Sequence, residues 1–254
     1  MGLLLILLLA AIQGLTEFLP VSSSGHLAAV SMIFNVEPSI FMTAFLHLGT
    51  LTAIIIAFRQ DIKKLLSGIL NKDSDSFKYL LYIIVTTFIT GILGLLGKSF
   101  FEESYKSLNI IAAFWLFTAV IIFLSDYVNE KGREINFNIA IIIGIVQTLA
   151  IFPGISRSGI TLVTALMLGV SRKNAIKYSF LISIPAIIGA NIVEYYDAGI
   201  ENIPGPLVLI SGFFTSAIIG YFSIILLIKL VKKSSLKIFA YYLIPLSILI
   251  FMLY

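Results

Sequence analysis

A carboxylate, three consecutive serines and a histidine fall within ten residues near the N-terminus: Glu17, Ser22, Ser23, Ser24 and His26. A second stretch carries Ser156, Arg157 and Ser158, closed by Gly159 as Gly25 closes the first. Hydroxyls and a guanidinium are the groups that grip phosphoryl oxygens, arginine through two parallel N–H bonds. A helix starting at either serine cluster adds unpaired N–H groups and the positive end of its dipole, which favours an anion there. A serine close to histidine is also the minimal set for nucleophilic or acid–base chemistry, with His26 as general base, general acid or phosphoryl acceptor. The pattern therefore points to a site for phosphate, with Ser22, Ser24, Gly25, Ser156, Ser158 and Gly159 as binding positions.

Each of these residues has a plainer reading. Serine at a helix start is an ordinary N-cap, although three in a row exceed what capping needs. A lone histidine there is often a simple hydrogen-bonding residue, and His47, in Leu46-His47-Leu48-Gly49-Thr50, reads as a buried packing residue. Glu17 and Arg157 could form an ion pair that only locks two parts of the chain together.

The two stretches are copies of one another. At a constant offset of 134 residues, Gln13, Leu15, Phe18, Ser22, Ser24 and Gly25 fall on Gln147, Leu149, Phe152, Ser156, Ser158 and Gly159. The chain thus reads as two related halves, about 1–130 and 131–254, forming a single membrane domain. Its surroundings are lipid-like: 59% of residues are hydrophobic, only 12% are charged, and the mean hydropathy is +1.06. Soluble domains carry roughly a quarter charged residues. The pI near 9.2 does not imply nucleic acid as a partner, because the basic residues sit in short loops between apolar runs. Cysteine is absent, which excludes disulfides and thiolate metal sites. The apolar start, Met1 to Ala11, lacks the cationic flank of a signal peptide and is expected to be mature structure.

Six runs are near the length of about 20 apolar residues that spans a bilayer: Phe41 to Phe58, Tyr79 to Gly97, Leu108 to Ser125, Tyr178 to Tyr196, Pro206 to Leu230 and Ile238 to Leu253. Trp115 lies well inside the third and is not an interfacial anchor. The stretch Asn71 to Ser76 reads as a solvated connector. Each polar island sits between two legs, Gly2 to Leu19 with His26 to Phe34, and Ile135 to Phe152 with Ile160 to Val170. The second legs are too short to cross. The islands are therefore expected to be re-entrant hairpins, broken at Pro20, Gly25, Pro153, Gly154 and Gly159. A helical hairpin lying on the membrane surface is the alternative, but the first leg is apolar all round rather than along one stripe.

One hairpin and three spans per half place the second half upside down, an inverted repeat. Loop charges give the orientation. Fourteen Lys and Arg collect on one side (Arg59, Lys63, Lys64, Lys72, Lys78, Lys131, Arg133, Arg172, Lys173, Lys177, Lys229, Lys232, Lys233 and Lys237), and the other side has only Lys98 and Lys106. By the positive-inside rule the first side is cytoplasmic, which puts both termini outside. Only Glu17 and Arg157 fall deep in a membrane-embedded element. Charges there are costly and normally pair or line a functional cavity, so the two hairpin tips are expected to meet near the midplane. The chain has no Walker A loop, no G-x-S-x-G elbow and no H-E-x-x-H zinc motif.

The run from Gln13 to His26 (QGLTEFLPVSSSGH) and the run from Pro153 to Gly159 (PGISRSG) resemble the two signature motifs of the undecaprenyl-diphosphate phosphatase family, the integral-membrane bacitracin-resistance type. The resemblance covers essentially the whole chain. It implies an enzyme that hydrolyses a polyprenyl diphosphate to the monophosphate in the cell membrane, so that the lipid carrier is reused in cell-envelope synthesis. By position it assigns Glu17, Ser23, His26 and Arg157 to catalysis and places Gln13 where the family admits an acidic residue or Gln. A divalent cation, Mg2+ or Ca2+, bound through Glu17 is implied, although with Gln13 only one carboxylate is available. Ser23 would attack with His26 assisting. Expected partners are the lipid substrate and membrane lipids, a homodimer being compatible with the sequence. A transporter or flippase for a lipid phosphate is the other reading, since broken helices in inverted repeats are also transporter architecture.

Overall fold

The computed structural model describes residues 3–36, 40–128, 131–198, 204–232 and 235–254. Met1, Gly2, Lys233 and the expected repeat boundary at residue 130 lie outside the described residues. Twelve helices occupy the described chain, with no β-strand among the described residues: α1 (Leu3–Phe18), α2 (Ser23–Phe34), α3 (Ile40–Ala57), α4 (Arg59–Leu70), α5 (Ser74–Leu96), α6 (Lys98–Ser104), α7 (Leu108–Ser125), α8 (Phe137–Thr148), α9 (Arg157–Met167), α10 (Arg172–Ala198), α11 (Pro206–Lys232) and α12 (Lys237–Leu253). Leu149–Ile151 extends α8 by one 3-10 turn.

The serines, not the residues after them, start the short legs. The Ser22 side chain accepts from the Gly25 N–H and the Ser156 side chain from the Gly159 N–H, the capping bond that satisfies an orphan donor of the first turn. Hence α2 begins at Ser23 and α9 at Arg157, earlier than the expected starts at His26 and Ile160. Pro153 forces the preceding Phe152 out of the helical region, and its backbone is extended. Gly154 then turns with φ +105°, a conformation L side chains rarely adopt.

Four helices, Ser74–Leu96, Leu108–Ser125, Arg172–Val193 and Pro206–Lys232, are long and apolar enough to cross a bilayer. A fifth span results if α3 and α4 count as one broken element, bent by 73°. The expected first span therefore does not end in a loop at Phe58. The chain continues as α4, whose Ile62 and Leu65 are half-buried while Lys63 and Lys64 are exposed, an amphipathic period hidden inside a basic stretch. The expected last span is α12, an apolar helix whose 17 residues fall short of the four spanning ones. Nor is Asn71 to Ser76 all connector: Asp73 caps α5, accepting from Ser76 N–H at 3.0 Å, so the helix starts at Ser74. The short α6, read as loop from the sequence, follows Gly97.

Helices approach closely where residues are small. α1 lies on α11, and a Cβ at Gly14 would stand 2.9 Å from Ser216 O and 3.0 Å from Gly220 N. α8 lies on α5 in the same way, and a Cβ at Gly144 would stand 3.0 Å from Thr86 O. Small residues let backbones come together and gain dispersion contacts that lipid would not otherwise concede. Further packing joins α3 to α11, α10 to α5, α7 to α12 and α3 to α10. α7 stands where the two hairpins meet, touching both α2 and α9. Its Trp115 is 1% exposed, in keeping with a residue inside the bundle rather than at an interface.

Candidate active site

Helix α1 delivers Gln13 and Glu17 from its last turns, one helical turn apart and so on one face. Both are buried, and Gln13 Nε2 donates to Glu17 Oε2 at 3.1 Å. Ser23, the first residue of α2, donates its Oγ proton to the same oxygen at 2.5 Å. From the other hairpin, Arg157 Nη2 donates to Glu17 Oε1 and forms an ion pair with it. The two charges that stood alone in apolar sequence are thus in contact across the two hairpin tips. Among the described residues, the buried Arg157 Nη1, Gln13 Oε1 and Trp115 Nε1 at this junction make no hydrogen bond.

The remaining serines and glycines divide between holding the tips together and lining the site. Ser22 Oγ accepts from Gly25 N–H at 3.3 Å and from Gly154 N–H at 3.0 Å, so it bolts one hairpin to the other. Ser158 Oγ donates to Leu19 O at 3.4 Å and does the same in reverse. Ser156 Oγ lies 3.2 Å from Ser158 Oγ, and Ser156 N–H donates to Thr118 Oγ1 of α7. The same hydroxyl donates to Gly154 O at 2.8 Å. Ser22, Ser156 and Ser158 are buried, whereas Ser23, Ser24 and Arg157 are only half-buried. Gly25 and Gly159 are contact points: a Cβ at Gly25 would sit 2.8 Å from Gly154 N and from Trp115 Nε1, and one at Gly159 would sit 3.0 Å from Pro20 Cβ.

His26 is placed differently from expectation. It does not pair with Ser23, whose hydroxyl goes to Glu17. Its Nδ1 lies 2.7 Å from Ser22 O and its Nε2 lies 2.8 Å from Tyr242 Oη. The ring packs beside Trp115 at 4.9 Å between centroids and nearly parallel to Tyr242 at 5.7 Å. His47 also departs from its reading as a buried residue. It is only half-buried on α3 and within electrostatic reach of Glu17.

Tyr242, Thr118 and Trp115 are site residues that sequence reasoning missed. Each sits inside an apolar span that carries no motif, and only the packing of α7 and α12 brings it here. For a divalent cation the donor set is small, since no cluster of three His, Asp or Glu exists among the described residues. Glu17 and the unpaired Gln13 Oε1 nevertheless fit one, because Mg2+ commonly takes one or two carboxylates and completes its shell with substrate phosphate oxygens.

Comparison with known proteins gives matches over nearly the whole chain. The family described as "Bacitracin resistance protein BacA" matches residues 6–249, which takes in both hairpin tips and at least part of every helix. A protein of Thermosipho africanus named undecaprenyl-diphosphatase is 45% identical over 249 residues, covering 96% of this chain and 98% of its own. Proteins of that name from Methanosphaera stadtmanae, 41% identical over 93% of this chain and 92% of its own, and Methanococcus maripaludis strain C6, 38% identical over 97% and 98%, also match over nearly their whole length. With a match that runs from the first hairpin through the last helix, and with the paired motifs meeting at one buried cluster, the chain belongs to the bacitracin resistance protein BacA family.

Proposed function

We propose that this chain is an integral-membrane phosphatase that hydrolyses undecaprenyl diphosphate to undecaprenyl phosphate and inorganic phosphate, returning the carrier to cell-envelope synthesis. The observation that carries the reading is the Ser23 hydroxyl, 2.5 Å from the Glu17 carboxylate that also binds Arg157. A nucleophile, a proton acceptor and a fixed cation thus share one junction. Full-length relatives named undecaprenyl-diphosphatase support the choice of substrate.

In this reading Ser23 gives its proton to Glu17 Oε2 while Oγ attacks the terminal phosphorus. The bond to the bridging oxygen breaks and polyprenyl monophosphate leaves. Water then hydrolyses the phosphoserine, releasing inorganic phosphate and restoring the hydroxyl, with His26, one turn further along α2, acting on that water. The developing charge on the equatorial oxygens needs positioning and neutralisation more than covalent help. Arg157 Nη1, which has no partner among the described residues, and the N-termini of α2 and α9 supply them. A divalent cation, Mg2+ or Ca2+, would be held by Glu17 and Gln13 Oε1 and would add charge neutralisation at the diphosphate.

The same reading takes the architecture as six spans and two re-entrant hairpins in inverted repeats, residues 1–130 and 131–254, in the cell membrane with both termini outside. The packing supports it: α1 on α11 is repeated by α8 on α5, and α3 on α11 by α10 on α5, each pair displaced by the offset of the two motifs. The test is phosphate release from a polyprenyl diphosphate by purified protein in detergent, with and without chelator. Stoichiometric release by the wild type, lost in Ser23→Ala, is expected. Movement of lipid phosphate across vesicles without any release would replace the phosphatase by a transporter.

A further inference from the structure

Tyr242 lies 216 residues from His26 on α12, in an apolar span with no motif, yet its hydroxyl meets the imidazole at 2.8 Å. The other ring nitrogen decides what that contact means. Nδ1 faces a backbone carbonyl, Ser22 O, at 2.7 Å, and a carbonyl only accepts, so Nδ1 carries the proton of the neutral ring. Nε2 is then the basic nitrogen, and the phenol donates to it. Trp115 closes one side of the imidazole, at 4.9 Å between centroids. Tyr242 itself is 47% exposed, so its hydroxyl is free to turn. Once Nε2 takes up a proton, the same oxygen accepts from it without any movement of the ring.

We propose that Tyr242 is a positioning residue for the phosphatase: it holds His26 as the Nδ1–H tautomer with Nε2 as the base. This deepens the reading of the hairpin junction as a phosphatase site and rests on it. It also separates the two candidate acceptors. Nε2 is engaged by the phenol, whereas Ser23 Oγ is bound, among the described residues, only to the carboxylate that would receive its proton. Ser23 is therefore the phosphoryl acceptor, and His26 serves the water of the second step through the phenol, which hands its own proton to Nε2 as it takes one from the water.

The test uses the full-length protein in detergent with 15N-labelled histidine. The chain has two histidines, and His47→Asn identifies the His26 signals. The neutral wild-type ring is expected to show a protonated Nδ1 and an unprotonated, hydrogen-bonded Nε2. Tyr242→Phe keeps the ring packing and removes only the hydroxyl. It is expected to shift the Nε2 resonance and lower kcat about tenfold, the worth of one hydrogen bond, with KM within about twofold. A neutral wild-type ring protonated at Nε2 overturns the proposal and needs no variant to be read. Wild-type kcat in Tyr242→Phe also overturns it. The tautomer is measured without turnover, so a protein that released no phosphate would end the phosphatase reading while the ring assignment was still decided.

Discussion

Glu17 and Arg157 take two charges out of water, and such a pair repays its desolvation only when the remaining oxygens and N–H groups are also bonded. Glu17 meets that condition, with Ser23 and Gln13 on one oxygen and Arg157 on the other. Arg157 does not, since Nη1 is unpartnered among the described residues, and an enzyme has reason to leave that donor for substrate. Arg157→Ala is expected to lower kcat by about two to three orders of magnitude, as when one electrostatic stabiliser is lost. It should also destabilise the fold by about 3–5 kcal/mol by stranding a buried carboxylate. The double variant Glu17→Gln with Arg157→Met should recover thermal stability in detergent but no turnover, whereas recovery of turnover would remove the pair from catalysis. Arg157→Lys should rescue poorly, because an ammonium cannot reproduce the planar fork. Acid quench during turnover should trap an acid-stable phosphoserine in the wild type and none in Ser23→Ala. An adduct that survives only alkaline quench would assign the transfer to histidine instead.

At the scale of the element, the site exists because two helix starts are pressed against one another. Gly25 has no room for a side chain: its Cβ would meet the Gly154 backbone and the Trp115 indole at 2.8 Å, neither of which yields easily. Gly25→Ala is expected to cost about 1–3 kcal/mol by overpacking and to part the tips, so thermal midpoint and kcat should fall together. Gly91→Ala is the control, because nothing lies within 4 Å of that Cβ. It should gain up to about 1 kcal/mol of helix propensity and leave turnover unchanged. A Gly25→Ala protein as active as the wild type would show that tip contact is not needed for the chemistry. The bend between α3 and α4 belongs to this scale too. Ala57 ends an apolar helix and Arg59 begins one with Lys63 and Lys64 exposed, so α4 turns away by 73° where the polarity of the sequence changes.

For the whole molecule, the asymmetry of loop Lys and Arg makes orientation a measurable consequence of the fold. With no native cysteine, single cysteines report without background. Substitutions at Lys64, Lys131 and Lys232, all exposed, are expected to resist an impermeant thiol reagent added to intact cells. Lys106→Cys, also exposed, is expected to react. The reverse pattern would invert the topology and place the termini in the cytoplasm. Labelling of Lys64→Cys while Lys131→Cys and Lys232→Cys stayed protected would instead mean that the two halves do not share one orientation of their loops.

How much was legible without the structure follows from which interactions are local. Capping serines, a proline that ends a leg and a glycine that turns are short-range effects, so the polar islands, their helix breaks and the isolated charges Glu17 and Arg157 could all be read along the chain. The offset copy then implied that the islands belong together. Local patterns also hid some features: α4 was masked by its basic residues, and the capped starts of α2, α5 and α9 came earlier than hydropathy indicates. What only the tertiary structure decided is which group meets which. Ser23 could have faced His26, three residues along the same helix, but the close packing of the tips turns its hydroxyl to Glu17. His26 is left to Ser22, Trp115 and Tyr242. No sequence pattern marks Tyr242, because its place is set by α12 lying on α7, a contact between apolar surfaces whose register is decided by packing and leaves no polar signal in the chain.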